Sequence, residues 1–152
     1  MPFLLGALMF RNDVDDYPVF IIHTLEHALC VAHASVQTQL SVKMFSPRDA
    51  ANSLGPDVFV SILNQASERY PDANLIGVFD CADTAGSALS AIRRGARHIS
   101  VQLEHPVYEK IIDIATQSNV SVRNYPENAI DLANTDTPDQ TVLSHLLEYE
   151  PT

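Results

Sequence analysis

The sequence predicts a parallel α/β domain. Short apolar runs alternate with helical patterns, the junctions between them carry capping residues or glycines, and neither a repeat nor a linker divides the chain. At 152 residues it forms a single domain, 1–152, with an apolar and then acidic arm at 1–16 and a tail at 126–152 that ends in a helix. A chain of this length buries roughly 68–70% of its unfolded surface and needs no covalent staple.

The first strand is Tyr17 to His23, where Val19, Phe20, Ile21 and Ile22 form a run suited to full burial. Thr24 then caps a helix reaching about Ala34, with Glu26 in the first turn, where a carboxylate complements the helix dipole. Leu40 to Phe45 is the second strand. Ser46-Pro47 reads as the cap and first residue of a short helix, and Gly55-Pro56 ends it and opens the next. That next helix carries Phe59, Val60, Ile62, Leu63 and Ala66 and stops near Tyr70-Pro71.

Leu75 to Asp80 is the third strand. The helix after it starts near Asp83 or Thr84 and closes at Gly95, and His98 to Leu103 is the fourth strand. Pro106 opens a helix with Val107, Ile111, Ile112 and Ala115 turned inward. Asn119 closes it in the left-handed conformation, ahead of a fifth strand at Val120 to Asn124. The tail ends in a helix introduced by Thr137-Pro138-Asp139-Gln140, which has the form of a capping box.

The first and third strands are apolar on both faces, whereas the others alternate: Ile99, Val101 and Leu103 oppose His98, Ser100 and Gln102. Two arrangements account for this. A doubly wound, flavodoxin-like sheet of order 2-1-3-4-5 leaves its outer strands thinly covered. A five-stranded, mainly parallel half-(β/α)8-barrel instead puts every helix on one side and the polar parity on the concave side, and the alternation of the fourth strand favours it. An open concave face with apolar centre strands calls for a partner, so a homodimer is expected, with the apolar arm contributing.

Nine lysines and arginines against nineteen acids give a net charge of −10, which disfavours nonspecific contact with nucleic acid or an anionic membrane. The charged share of 18% falls below the usual quarter or so, as a subunit-contacting surface would. Cys30 and Cys81 have neither a metal spacing nor a disulfide partner pattern, and the apolar opening lacks a basic flank, so the expected location is cytoplasmic.

Three segments carry a family resemblance. Pro18-Val19-Phe20-Ile21-Ile22 leading into Leu25-Glu26-His27-Ala28-Leu29, Arg69-Tyr70-Pro71-Asp72-Ala73-Asn74-Leu75-Ile76-Gly77, and Ala91 to Ser100 with its Arg94-Gly95-Ala96 step together resemble the first half of the 2-keto-3-deoxy-6-phosphogluconate aldolase barrel. The resemblance spans residues 17–126 and implies the fold more than the activity. Where that family has a catalytic Glu and Arg, this chain has Ser41 and Phe45, and Phe79-Asp80-Cys81 replaces its Gly-Thr-Val. In a second register, Val42-Lys43-Met44-Phe45-Ser46-Pro47 resembles the family's Schiff-base segment and makes Lys43 the imine-forming residue. A receiver-domain reading fails, because the first strand ends in His23 rather than an acidic pair and no lysine ends the fifth.

Ligands of parallel sheets bind beyond the strands' carboxyl ends, which here carry His23, Ser46, Asp80, Cys81, Asp83, Glu104, His105 and Tyr125. Asp80 and Asp83 suit acid–base work or a divalent cation, or one of them simply caps the following helix. Lys43, one of two lysines, forms an imine if desolvated near a base such as Asp80 or Glu104, and otherwise is a charge that keeps a wet sheet face or an edge soluble. His23, His27 and Cys30 share a helical stripe at zinc-like spacing that reads better as a surface stripe. Gly86 reads as a close-packing residue.

Two functions follow from these residues. The first is a non-catalytic homo-oligomeric module that binds a small molecule or a partner through His23, Ser46, Cys81, Asp83, Ser100, Gln102 and His105, with no metal and no cofactor. The second is a lyase acting on a 2-oxo acid through Lys43, Asp80 and Glu104.

Overall fold

The computed structural model describes residues 16–48 and 50–150. Six parallel strands form one sheet: β1 (Val19–Ile21), β2 (Val42–Phe45), β3 (Leu75–Asp80), β4 (His98–Ser100), β5 (Ser121–Arg123) and β6 (Ile130–Asp131), in the order β5-β4-β3-β2-β1-β6. Between and after them run α1 (Leu25–Thr38), α2 (Pro56–Arg69), α3 (Ala85–Arg93), α4 (Val107–Gln117) and α5 (Pro138–Glu148).

The sequential order excludes the 2-1-3-4-5 winding. Successive helices pack against one another, and α5 returns to lie on α1, so the helices form one layer on one face of the sheet. Same-handed crossovers that always step the same way place every helix on the same side. The strands also step along one another: Val42 to Phe45 pair with Leu75 to Val78, whereas β4 pairs with β3 only at Phe79 and Asp80. Such a stagger accompanies strand tilt in barrels.

Tyr125 shows how far the sheet curls. It follows β5 by two residues, yet its ring packs edge-on against Phe45 of β2 at 5.5 Å and its hydroxyl donates to the Ser46 carbonyl at 3.0 Å. In a flat sheet β5 and β2 stand about 14 Å apart. Residues 124–129 therefore cross the carboxyl ends of the strands as a strap and deliver the chain to the far side of β1. There Ile130 and Asp131 pair with Phe20 and Ile21.

Phe20, Val42, Met44, Phe79 and Ile99 point into the helix layer and form the core with Val31, Phe59 and Leu146. Phe79 packs on Phe59 of α2, and Phe20 meets His145 of α5 edge-on. The other parity (Val19, Ile21, Lys43, Ile76, Val78, Asp80, His98 and Ser100) faces the concave side.

Gly77 sits where α2 presses closest on the sheet: a Cβ added there would lie 2.2 Å from Leu63 Cδ1. Leu63 also lines a cavity of about 320 Å³ between α2 and the strands, so its side chain has room to swing aside. Gly77→Ala is expected to lower stability by about 1–2 kcal/mol, read from the urea midpoint, because overpacking of this kind costs ~1–3 kcal/mol when the neighbours must move.

Several expectations need correction. Among the described residues the strands number six, not five, because the tail contributes β6, too short at two residues to show a period. The strand ends are trimmed: β1 keeps only Val19–Ile21 of Tyr17 to His23, and β4 stops at Ser100 rather than Leu103. Ser46-Pro47 opens no α-helix; among the described residues that region holds only a 3₁₀ turn, Ala50–Asn52. Thr137 makes no side-chain cap at α5, and Thr135 Oγ1 instead accepts from the Thr137 N–H at 3.2 Å. Val107 turns outward and is 43% exposed. Gly86 is also exposed, and a Cβ added there would meet only Thr84 Cγ2, at 4.0 Å, so the close-packing glycine is Gly77.

Other expectations hold. Thr24 caps α1 by accepting from the His27 N–H, and Gly95 and Asn119 take positive φ at their helix ends. Apart from Asp16, the N-terminal arm lies outside the described residues.

Candidate functional site

The carboxyl ends of β1, β2, β3 and β4 meet β6 and the strap at one mouth on the concave face. At its centre is Asp80, the last residue of β3, only 3% exposed. Ser100 Oγ, from the neighbouring strand, donates to Asp80 Oδ1 at 2.8 Å. The Asp80 N–H donates to Ser46 Oγ at 2.8 Å, and Ser46 Oγ–H donates onward to the Pro47 carbonyl at 3.2 Å. Three residues from three adjacent strands thereby fix one another.

The strap covers this network. Tyr125 reaches Ser46 as described, and the Arg48 guanidinium lies over the Tyr125 ring at 4.1 Å, a cation–π contact. Burial, reinforced by Asp80 and opposed by Arg48, pushes the Tyr125 hydroxyl up to about 12. It remains a hydrogen-bond donor throughout the neutral range.

On the β1 side, His23 Nε2 lies 2.7 Å from Asp131 Oδ1, and the same oxygen accepts from the Ala133 N–H at 3.0 Å. Asp131 thus arrives with β6 already oriented by the 3₁₀ turn that follows. The His23 N–H donates to His27 Nδ1 at 3.0 Å, which leaves the neutral His27 ring its proton on Nε2. Burial first, then His23, lowers the His27 pKa. The two rings stand perpendicular, 5.8 Å apart.

Toward β5 and the amino ends of the inner strands the same face turns basic, and Arg123, the last residue of β5, lies level with Ser100. Arg123 Nε donates to His98 Nδ1 at 3.2 Å, and the Lys43 ammonium lies 5.6 Å from the Tyr17 ring centre. Burial, with Arg123, Arg97 and Lys43 adding repulsion, lowers His98 to about 4. An unfolded histidine takes up its proton near pH 6.5, so between pH 6.5 and about 4 the unfolded chain binds more protons and folding stability falls with falling pH. The contribution is complete above that window. His98→Gln is expected to flatten the drop in urea midpoint between pH 7 and pH 4.5 relative to the unaltered chain.

The mouth gathers His23, Ser46, Asp80 and Ser100, all of which the sequence indicates. The other expected residues lie elsewhere. Cys81 falls on the opposite parity, in the core beneath the helices, with its sulfur 3.9 Å from the Phe79 carbonyl. Burial and Asp80 push its thiol up to about 12, so it stays protonated at neutral pH, on the face turned away from the mouth. Asp83 is exposed, and the cap position of α3 belongs to Thr84 rather than to either aspartate.

Gln102, Glu104 and His105 occupy the exposed loop after β4, where His105 pairs with Glu109 at 2.6 Å. Lys43 sits on an inner strand, so it guards no edge. It aligns with Ile76, and Asp80 lies four residues further along β3, about 13 Å away. Lys43, Asp80 and Glu104 therefore do not converge.

Two mouth residues, Asp131 and Arg48, escape sequence reasoning, and Tyr125 is indicated only by its place at a strand end, with no role attached. Asp131 belongs to a strand of two residues, and Arg48 enters only because the strap folds back over β2. No family model matches the chain, and no curated protein matches it as a relative. No helix among the described residues is long and apolar enough to cross a membrane.

Proposed function

We propose that this chain binds a small polar molecule at the mouth, without transforming it, as one subunit of a homo-oligomer. The observation that carries the reading is the buried Asp80–Ser100–Ser46 network roofed by Tyr125. It is an acceptor group already desolvated and oriented before any ligand arrives, as small-molecule sites require. Asp80 and Asp131 offer acceptors, while Arg48 offers a cation at the rim. A ligand with an amino or hydroxyl group at one end and a carboxylate at the other fits that polarity. Val107 and Ile114, both exposed and one heptad apart on α4, support a subunit contact.

Titration of amino acids, hydroxy acids and 2-oxo acids into the isotopically labelled chain tests the reading. The amide signals of His23, Ser100 and Tyr125 are expected to shift together with one class of ligand, and Arg48→Gln is expected to weaken that binding. Shifts confined to other surfaces, or no shift with any class, would overturn it.

Imine formation at Lys43 is the second reading, favoured by the half-burial of that side chain on the concave face. Borohydride trapping with pyruvate, read by intact mass, separates the two. An adduct lost in Lys43→Ala establishes imine chemistry, whereas its absence leaves the binding reading alone.

A further inference from the structure

A second concavity lies on the far side of the helix layer, where α5 crosses α1. It encloses about 330 Å³, at the small end of the range for small-molecule sites. Leu29 and Leu143 line it from the two helices, and Tyr70 and His33 add an aromatic wall, their rings stacked 14° from parallel at 5.2 Å. Glu26 and Asp139, each in the first turn of its helix, also line it, and among the described residues no lysine or arginine does.

From these features we propose that the α1–α5 cavity binds a small organic amine with an apolar, preferably aromatic, body. The ammonium would sit between Glu26 and Asp139, and the body against the Tyr70–His33 wall. Cys30 lines the same cavity, and burial first, then Asp139 and Glu26, raises its thiol pKa. Both carboxylates therefore lie within electrostatic reach of that wall. A bare metal ion is the poorer match, since no three metal-binding side chains among the described residues cluster closely enough to hold one. An apolar lining also gains nothing from an inorganic ion, whereas it gains from covering an aromatic ring.

The site is separate from the mouth, so failure at either leaves the other standing. The test titrates phenethylamine, phenethyl alcohol and phenylpropionate into the full chain at pH 7.5, following amide signals. The amine is expected to shift Leu29, Cys30, His33 and Leu143 and to bind several-fold more tightly than the alcohol, with the carboxylate weakest. Glu26→Gln and Asp139→Asn are each expected to weaken the amine roughly threefold to fivefold, the worth of one partly exposed charge pair. Their signals elsewhere should be unchanged, which shows that the fold survives. Equal binding of amine and alcohol would overturn the proposal. So would shifts outside the cavity, indifference to both substitutions, or no binding at millimolar amine.

Discussion

Phe20→Ala is expected to lower the unfolding free energy by about 3–5 kcal/mol, the range for truncating a fully buried phenylalanine. Phe20 is 0% exposed on an inner strand, with β2 on one side and β6 on the other. Its ring meets His145 edge-on, so it also joins the sheet to α5. The cavity would open at the point where the C-terminal segment attaches. Urea unfolding checks the size of the loss. An unchanged slope with a lower midpoint indicates a cavity cost, whereas a shallower slope indicates that β6 and α5 have detached in the folded state.

Ser46→Ala is expected to cost about 1–3 kcal/mol, a large amount for the loss of a single oxygen. The hydroxyl is the acceptor for the Asp80 N–H, in a place where Ser46 is 0% and Asp80 3% exposed. Removing it takes that acceptor from a buried N–H, and the desolvation penalty exceeds the modest net worth of an ordinary hydrogen bond. Hydrogen exchange at the Asp80 amide should accelerate in the variant beyond what the global destabilisation accounts for. Small-molecule binding at the mouth should weaken with it, since the Asp80 carboxylate loses the backbone anchor that sets its direction.

The layout of this protein was legible in its sequence wherever long stretches had to bury one face. The helices and the first five strands announce themselves by apolar periodicity, and the alternation of Ile99 and Val101 with His98 and Ser100 foretold the one-sided helix layer. What the sequence hid depends on tertiary reach. A two-residue strand has no period, and its partner is decided by the strap's destination rather than by Ile130 and Asp131 themselves. For the candidate site, strand ends pointed to His23, Ser46 and Asp80 and parity to Ser100, and the fold brings these four to the mouth. The same rule admitted Cys81, because one residue of parity separates the concave face from the core. It also admitted Glu104 and His105, and the parity rule admitted Gln102, because β4 ends sooner than its apolar pattern does.

The strap also bears on the order in which the chain assembles. The β6–β1 pairing, like the contact of His23 with Asp131, joins residues about a hundred positions apart, whereas β1 with β2 and β2 with β3 pair over much shorter separations. Closing the longest loop costs the most chain entropy and is rewarded only once the β1 edge exists to receive it. The core β1–β2–β3 with α1 and α2 is therefore expected to form early, with β1 exposed as an open edge, and residues 124–150 to dock last. During that interval the edge later covered by β6 is the surface most vulnerable to pairing with another copy of the chain.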